Sequence, residues 1–292
     1  MNCAHFLADI VSDAKVFLVA TAHDVYRQRE FPDGSVVIDP WRMIPDQPGV
    51  TVRRLGENKP AMISVLVPSR GRVEPLSQAI GTASAMATHP TAIEFVIWLD
   101  DDDPELDHYL SRYQTPHRHI IRVRHIVGPR TLLSECWNRC ADFARGEILM
   151  HGGDDIVFQT PGWDQQVRDA FAASQDKILL VQGDELSPNR EALATHGFLH
   201  RRWVETVGYF LPPLFSCDWN DVWLTEVADK IGRRVILPFV TEHQHHSFDK
   251  RERDQTDMER EQRGRDDDVV GLFKRTAKDR ERDAAKLRKV MA

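Results

Sequence analysis

The amino-acid sequence predicts an α/β protein with a mostly parallel, Rossmann-like sheet flanked by helices. Buried-strand patterns alternate with amphipathic helical patterns from residue 62 onward. Polar clusters follow three of these strands. Hydrophobic residues make up 41% of the 292 residues, which is a normal share for a globular core. We predict a small N-terminal α/β extension with a linker (1–60), a main domain (61–248) and a charged helical tail (249–292).

Composition and charge narrow the function classes. The net charge is −7, from 38 Lys and Arg against 45 Asp and Glu, so the whole protein lacks the basic footprint of a nucleic-acid-binding protein. The longest apolar runs are far shorter than the roughly 20 residues that span a bilayer, so we expect no transmembrane helix. Residues 1–14 lack a basic start before an apolar stretch, so we expect no signal peptide.

The four cysteines form no CxxC pair, which argues against a zinc ribbon. Cys136 and Cys140 are spaced one helical turn apart, and we expect them to pack as small hydrophobic side chains. This cysteine usage fits a reducing, cytoplasmic compartment.

The N-terminal extension is predicted to run strand, helix, strand. Val16–Ala20 and Val36–Ile38 are the strands, and prolines and glycines then mark a linker. The segment distantly resembles the strand–helix–strand ending of nucleotide-sugar dehydrogenases. A strand pair added to the edge of the main sheet is the alternative.

The main domain begins with a strand at Ile63–Pro68, a turn at Ser69–Arg72 and an amphipathic helix at Val73–Met86. A second strand, Phe95–Leu99, runs into four successive carboxylates at Asp100–Asp103. A third strand is predicted at Ile120–Ile126. The elements that follow are a helix over Thr131–Arg145 with Gly146 as its C′ residue, a strand over Glu147–Met150 and the polar cluster at 151–155.

The three polar clusters share one position in the predicted topology. Each follows the carboxyl end of a strand, and ligands of open α/β sheets bind beyond those ends. The sequence therefore predicts one ligand site built from the segments 69–72, 100–103 and 151–155.

These clusters, in this order, resemble glycosyltransferase family 2 and its relatives with the GT-A fold. The resemblance covers roughly residues 62–246. Residues 63–72 match the opening strand and turn of the family, and Trp98–Asp101 match its acidic strand end. The segments 137–141 and 144–148 match its Asn/Arg/Ala helix and following strand, and Gly152–Asp155 match its acidic motif. The sequence departs from the family at Gly152, where the first acidic residue of that motif is expected.

The resemblance implies a metal-dependent transferase that moves a sugar from a nucleotide-sugar donor, with a UDP-linked sugar expected. Mn²⁺ or Mg²⁺ is the expected ion, because hard oxygen ligands suit these cations. We predict Asp155 as a ligand, completed by a histidine near the end of the domain, with His245 preferred and His243 the alternative. A solvated polar turn or an unrelated zinc site is the competing interpretation of the histidines.

The predicted nucleotide and phosphate contacts come from the same clusters. Arg70 and Arg72 are candidates to bind phosphate or ribose, with a surface turn as the alternative. Asp100 or Asp101 is the candidate acceptor for a base N–H, although an aspartate before Pro104 also suits a helix N-cap. The remaining predicted donor contacts are Pro68, Ser69, Gly153 and Asp154.

The predicted general base lies in the second half of the main domain. The family places an acidic pair at the start of a helix there, and an inverting enzyme needs a carboxylate that takes the acceptor proton. Asp221 fits best and Asp218 is the alternative. A capping aspartate is the structural interpretation, which favours Asp218.

Two other functions keep the same fold. A sugar-phosphate nucleotidyltransferase is disfavoured, because the turn after the first strand holds only one glycine, Gly71. A non-catalytic binding protein is supported by the missing carboxylate at Gly152. The tail is interpreted as a solvated helical face, or as a segment that covers the site, binds a partner or contacts an anionic acceptor. A modified-DNA acceptor is a further alternative, which predicts activity that falls steeply with salt.

Overall fold

The computed structural model describes residues 14–54, 60–113, 121–188 and 191–291, in two compact units over residues 1–59 and 60–292. The first unit contains a parallel three-stranded sheet of β1 (Val16–Leu18), β2 (Val36–Asp39) and β3 (Thr51–Arg54). These strands pair with one another, so the alternative of an added pair in the main sheet is wrong. A short 3-10 helix, Asp24–Gln28, replaces the predicted helix because it buries no residue that would hold a longer one.

The second unit contains eight strands and nine α-helices within its described residues. The strands are β4 (Ile63–Ser69), β5 (Ile93–Asp100), β6 (Arg122–Gly128), β7 (Ile148–His151), β8 (Ile156–Phe158), β9 (Leu180–Asp184), β10 (Phe198–His200) and β11 (Arg234–His243). The helices are α1 (Val73–Met86), α2 (Leu106–Tyr113), α3 (Leu133–Phe143), α4 (Trp163–Ala173), α5 (Arg201–Val207), α6 (Asn220–Ile231), α7 (Gln255–Asp266), α8 (Val269–Arg275) and α9 (Ala277–Arg288).

The eight strands described in this unit form one sheet in the order β6-β5-β4-β7-β10-β9-β11-β8. Six strands run in one direction, while β10 and β8 run against their neighbours. The predicted α/β class with a mostly parallel sheet is confirmed. The helix predicted at Val73–Met86 has those bounds, and the predicted third strand begins at Arg122, with Ile120 outside the described residues.

Side chains of the central strands alternate between two apolar layers, as the period of two along a strand requires. Val65 and Val67 of β4 pack with Leu76 and Ile80 of α1 in one layer. Leu66 points into the other layer, which includes Cys140 of α3, Trp223 of α6 and Leu287 of α9. The thiols of Cys136, Cys140 and Cys217 are free and buried, so the prediction that the α3 pair packs as small hydrophobic side chains is confirmed, while Cys3 lies outside the described residues.

Gly146 corrects one prediction about this core. Helix α3 ends at Phe143, and Gly146 lacks the left-handed conformation of a C′ glycine. Its backbone instead packs against β4, where its N–H donates to Ser64 Oγ at 2.9 Å. Ser64 Oγ in turn donates to the buried Glu94 at 2.7 Å. The glycine is required by close backbone approach, because a Cβ there would lie 2.5 Å from Ser64 Oγ and 2.7 Å from Ser64 N.

We predict that Gly146→Ala lowers the free energy of unfolding by about 1–3 kcal/mol, as overpacking of a tight interior does. Gly81→Ala is the matched control, because the exposed Gly81 lies inside α1 with nothing within 4 Å of an added Cβ. The control is expected to gain up to about 1 kcal/mol from helix propensity. Urea unfolding of both variants tests this, and an unchanged midpoint for Gly146→Ala contradicts the packing argument.

The C-terminal segment is helical as predicted, but it is part of the folded unit. Ala284 and Leu287 of α9 lie in the core layer with α6. Arg280 is 3% exposed, and its Nε lies 2.7 Å from Glu226 Oε2. Asp283, also buried, accepts hydrogen bonds from Tyr209 and Trp223. The interpretation as a solvated helical face is therefore wrong. None of the described helices has the length and apolar character needed to cross a bilayer.

Candidate active site at the carboxyl edge of the sheet

A cavity of about 210 Å³ lies beyond the carboxyl ends of β4, β5 and β7. These strands are neighbours in the sheet, so the polar clusters that follow them meet at one edge. The predicted site residues that line the cavity are Pro68, Ser69, Arg70, Arg72, Asp100, Gly153, Asp154, Asp155, Asp218, Asp221 and His243. Asp101 and His245 do not line it.

The two arginines after β4 hold carboxylates. Arg70 Nη1 lies 3.3 Å from Asp100 Oδ2 and 2.5 Å from Asp102 Oδ1. Arg72 reaches Asp154 at 3.3 Å and also pairs with Asp254 and Asp257, at 2.8 and 2.7 Å. Together these carboxylates hold the pKa of Arg72 above its usual value. A phosphate that binds either arginine therefore has to displace these carboxylates or share the guanidinium with them.

The aspartates at the end of β5 and directly after it have different roles. Asp100 lines the cavity and accepts a hydrogen bond from Trp98 Nε1 at 3.0 Å. Asp103 accepts from the backbone N–H groups of Glu105 and Gly71, at 2.8 and 2.9 Å, so it fixes the turn before α2. Asp101 is exposed and does not line the cavity. Asp100 is the last residue of β5, and the side chain of the residue that follows it points in a different direction. Of the two candidate base contacts, only Asp100 reaches the cavity.

Close backbone packing explains why residue 152 is a glycine, where the family motif has an acidic residue. A Cβ at this position would lie 2.8 Å from Val65 Cγ1 and 3.0 Å from the carbonyl oxygen of Leu66. The backbone after β7 packs directly on β4, so an aspartate side chain has no room there. The two remaining carboxylates, Asp154 and Asp155, are 6% and 8% exposed.

Asp154 and Asp155 have different surroundings. Ser69 Oγ donates to Asp154 at 2.8 Å, and burial raises the pKa of Asp154 to about 6. Asp155 is buried as well, but its Oδ1 lies 3.3 Å from His243 Nε2, and this contact outweighs burial and holds the pKa of Asp155 below its usual value. Of the two carboxylates, Asp155 is the one that contacts an imidazole.

A third side chain completes this group. The ligand atoms of Asp155, His196 and His243 all lie within 4.8 Å of one another. Glu185 positions both histidines, since its Oε1 accepts from the backbone N–H of His196 at 2.7 Å and its carbonyl oxygen accepts from that of His243 at 3.1 Å. The sequence does not identify His196 as a site residue. Residues 195–197 carry no motif, and only the antiparallel return of β10 brings this histidine to β7.

The three side chains fit a divalent cation such as Mn²⁺, for which carboxylate and neutral imidazole are suitable ligands. Burial holds the pKa of His196 well below its usual value, so the ring stays neutral and able to bind a metal. A Cβ at Gly153 would lie 3.1 Å from both Asp155 Oδ1 and His196 Nε2, so the glycine keeps the space between them clear. His196 Nδ1 is buried without a hydrogen-bond partner in the described part of the chain.

The structure does not join His245 to this group. β11 ends at His243, and His245 caps a 3-10 helix, where its Nδ1 accepts from Ser247 N at 3.2 Å. Its Nε2 lies 2.8 Å from Arg260 Nη2, and burial with this cation lowers the pKa of His245 to about 4. His243, and not the preferred His245, is therefore the histidine that contacts Asp155 in the described structure.

The two candidate bases lie on either side of the start of α6. Asp218 is exposed and lies 3.6 Å from Arg260 Nη1. Asp221 is half-buried in the first turn, where its Oδ1 accepts from Val222 N at 2.9 Å. Burial raises the pKa of Asp221 to about 6. Asp218 makes no capping bond to this helix, because Trp219 is the N-cap residue and its side chain does not cap.

Helix α7 closes one side of the cavity. Thr256, Arg260 and Arg263 line the cavity from one face of this helix, at a spacing of four and three residues. Thr256 Oγ1 donates to the carbonyl oxygen of Arg70 at 3.0 Å. Just before α7, Arg251 Nη2 lies 3.5 Å from Asp155 Oδ2. One interpretation of the sequence has the C-terminal tail covering the site, but no sequence pattern identifies these residues as part of it.

No protein-family model and no curated protein matches the chain. Solved structures of glycosyltransferases do, as the resemblance of the sequence predicts. A mannosyltransferase from Pyrobaculum calidifontis, in complex with GDP-Man and Mn²⁺, is 14% identical with a TM-score of 0.49, over 63% of this chain and 57% of that one. TarS from S. aureus is 11% identical with a TM-score of 0.49, over 64% of this chain and 38% of that one. TarS 1–349 in complex with UDP-GlcNAc is 13% identical, with a TM-score of 0.49 over 63% and 59%.

Proposed function

We propose that the chain is a metal-dependent glycosyltransferase that takes a sugar from a nucleotide-sugar donor, with UDP as the expected nucleotide. The observation that carries the proposal is one cavity that joins three features. Arg72 lies at the carboxyl end of β4, the group of Asp155, His196 and His243 lies beside it, and Asp221 lines the same cavity. Cations, a candidate metal group and a candidate base are what transfer from a diphosphate leaving group requires.

The donor is expected to bind along the ends of β4, β5 and β7. Asp100 is held by Trp98 and Arg70, with its carboxylate at the cavity, so it is placed to accept an N–H from a nucleotide base. Arg72 is expected to contact the diphosphate after Asp254 and Asp257 of the C-terminal segment move away from its guanidinium. Ser69 and Pro68 line the same cavity.

Asp155, His196 and His243 are the residues that would hold Mn²⁺ or Mg²⁺. When bound, the ion supplies charge neutralisation for the departing diphosphate. Glu185 holds the backbone of both histidines, which fixes where their rings point.

Asp221 is the proposed general base of an inverting transfer. A carboxylate with a pKa of about 6 is largely ionised at neutral pH and is a stronger base than an ordinary aspartate. It takes the proton of the acceptor hydroxyl as that oxygen attacks the anomeric carbon from the face opposite the diphosphate. Asp218 is the less suitable candidate, because it is exposed and lies against Arg260.

A thermal-shift screen tests the proposed donor. UDP, GDP and their sugar conjugates are each added with Mn²⁺, Mg²⁺ or a chelator, since binding to the native state raises the melting temperature. We expect one nucleotide to raise it in the presence of the ion, and the shift to vanish in Asp155→Asn. Asp229→Asn, a surface change at the far end of α6, is the control. Failure of every nucleotide to shift the wild type contradicts the proposal and favours the non-catalytic alternative.

A further inference from the structure

The arginines on the cavity face of α7 differ from the others around the cavity. Arg70, Arg72 and Arg130 each have a carboxylate oxygen within 3.3 Å. Arg263 has none within 4.0 Å in the described parts of the chain. Its Nη1 reaches only two backbone carbonyl oxygens, of Thr131 at 3.4 Å and Ser216 at 3.3 Å. Arg263 is therefore a half-buried cation that has no anionic partner among the described residues.

Arg260 lies one turn before Arg263 and is also only partly neutralised. Its single carboxylate partner among the described residues is Asp218, at 3.6 Å, and its side chain is 30% exposed. Its Nε is buried and has no hydrogen-bond partner within the part of the chain that the structure describes. Because burying an unpaired charge or donor is costly, two such guanidiniums lining one cavity indicate an anionic ligand group.

The position of these arginines separates them from the strand ends that carry Arg70, Arg72 and Asp155. Arg263 contacts the carbonyl oxygen of Ser216, and Arg260 contacts Asp218. Both contacts are on the segment that leads directly into α6, the helix that carries Asp221. The unneutralised charge therefore lies on the side of the candidate base, where the acceptor hydroxyl has to be placed.

We propose that the acceptor of this enzyme is anionic, and that Arg263 with Arg260 binds a phosphate or carboxylate group of it beside Asp221. This inference rests on the proposed function and specifies its second substrate. The planar guanidinium fork suits such a group, because it donates two parallel hydrogen bonds to paired oxygens.

The test uses the full chain, with inorganic phosphate as the probe for the acceptor group. Phosphorus NMR measures phosphate affinity in the presence of saturating UDP and Mg²⁺, and calorimetry measures UDP affinity separately. Arg263→Gln is expected to weaken phosphate binding about tenfold, the value of one charge-assisted hydrogen bond, and to leave UDP affinity unchanged. Arg265→Gln is the matched control, because Arg265 lies on the exposed face of α7.

Three outcomes overturn the proposal. In the first, the wild type binds UDP but no phosphate. In the second, Arg263→Gln weakens UDP binding instead. In the third, Arg263→Gln lowers only the melting temperature and leaves both affinities unchanged. Arg263→Lys keeps the charge and is expected to retain part of the phosphate affinity, which separates lost charge from misfolding. If the wild type fails to bind UDP, the proposed function fails, while a loss of phosphate binding in Arg263→Gln without nucleotide still supports the anion site.

Discussion

Asp221→Asn is expected to lower kcat for sugar transfer by about 10²- to 10⁴-fold, the usual contribution of a positioned general base. Asparagine keeps the size of the side chain and an oxygen that can accept from Val222 N, but it cannot take a proton. Donor affinity is expected to stay within twofold of wild type. Asp218→Asn is the matched control and is expected to keep most of the activity, since Asp218 is exposed.

The pH dependence of the same variant supplies a second measurement. Because burial raises the pKa of Asp221 from 3.8 to about 6, wild-type activity is expected to rise between pH 5 and pH 7 and then to level off. The folded state binds this proton more tightly than the unfolded state, so the carboxyl makes stability fall as pH rises from about 4 to about 6. Asp221→Asn should lose this contribution. An active variant with a wild-type pH profile contradicts the role of Asp221.

His243→Ala is expected to weaken Mn²⁺ binding by at least about 100-fold. Loss of a ligand should cost more than loss of a residue that only hydrogen-bonds to a ligand. His196→Ala is expected to do the same, because both imidazoles face Asp155 within one 4.8 Å group. The matched control is His245→Ala, whose ring nitrogens are engaged by Ser247 N and Arg260. Calorimetric titration of Mn²⁺ into the three variants in the presence of UDP measures the difference.

The opposite ranking of these histidines would contradict the metal assignment. If His245→Ala loses the ion and His243→Ala retains it, the group of His245, His246 and Asp257 becomes the metal site instead. We do not expect this, because both oxygens of Asp257 already accept hydrogen bonds from Arg251, at 2.5 and 2.8 Å, and one also accepts from Arg72 at 2.7 Å.

The first half of the site could be predicted from the sequence because its physics is local. Ile63–Pro68 is apolar except for Ser64, and Val73–Met86 has the helical period, so strand, turn and helix follow directly. Neighbouring parallel strands bring their carboxyl ends together, so the polar clusters meet at one edge as predicted. The pairing of Arg70 with Asp100 and of Arg72 with Asp154 is not predicted by the sequence, because both arginines are candidates there to bind phosphate or ribose.

The rest of the site depends on contacts that sequence patterns do not encode. His196 reaches Asp155 only because β10 runs antiparallel between β7 and β9. The choice between His243 and His245 depends on where β11 ends, and element ends are the least predictable feature of a pattern. Asp257 is buried because Arg72 and Arg251, distant in the sequence from each other, both pair with it. A run of mixed charge gives no sign of such pairing.

The most direct test of the central claim is a crystal structure with UDP and Mn²⁺, with anomalous scattering used to place the ion. We expect one strong Mn²⁺ peak coordinated by Asp155, His196 and His243, in contact with the diphosphate of UDP, and no peak in crystals of Asp155→Asn. A peak between His245, His246 and Asp257, or UDP bound in the cavity with no ion beside Asp155, would contradict it.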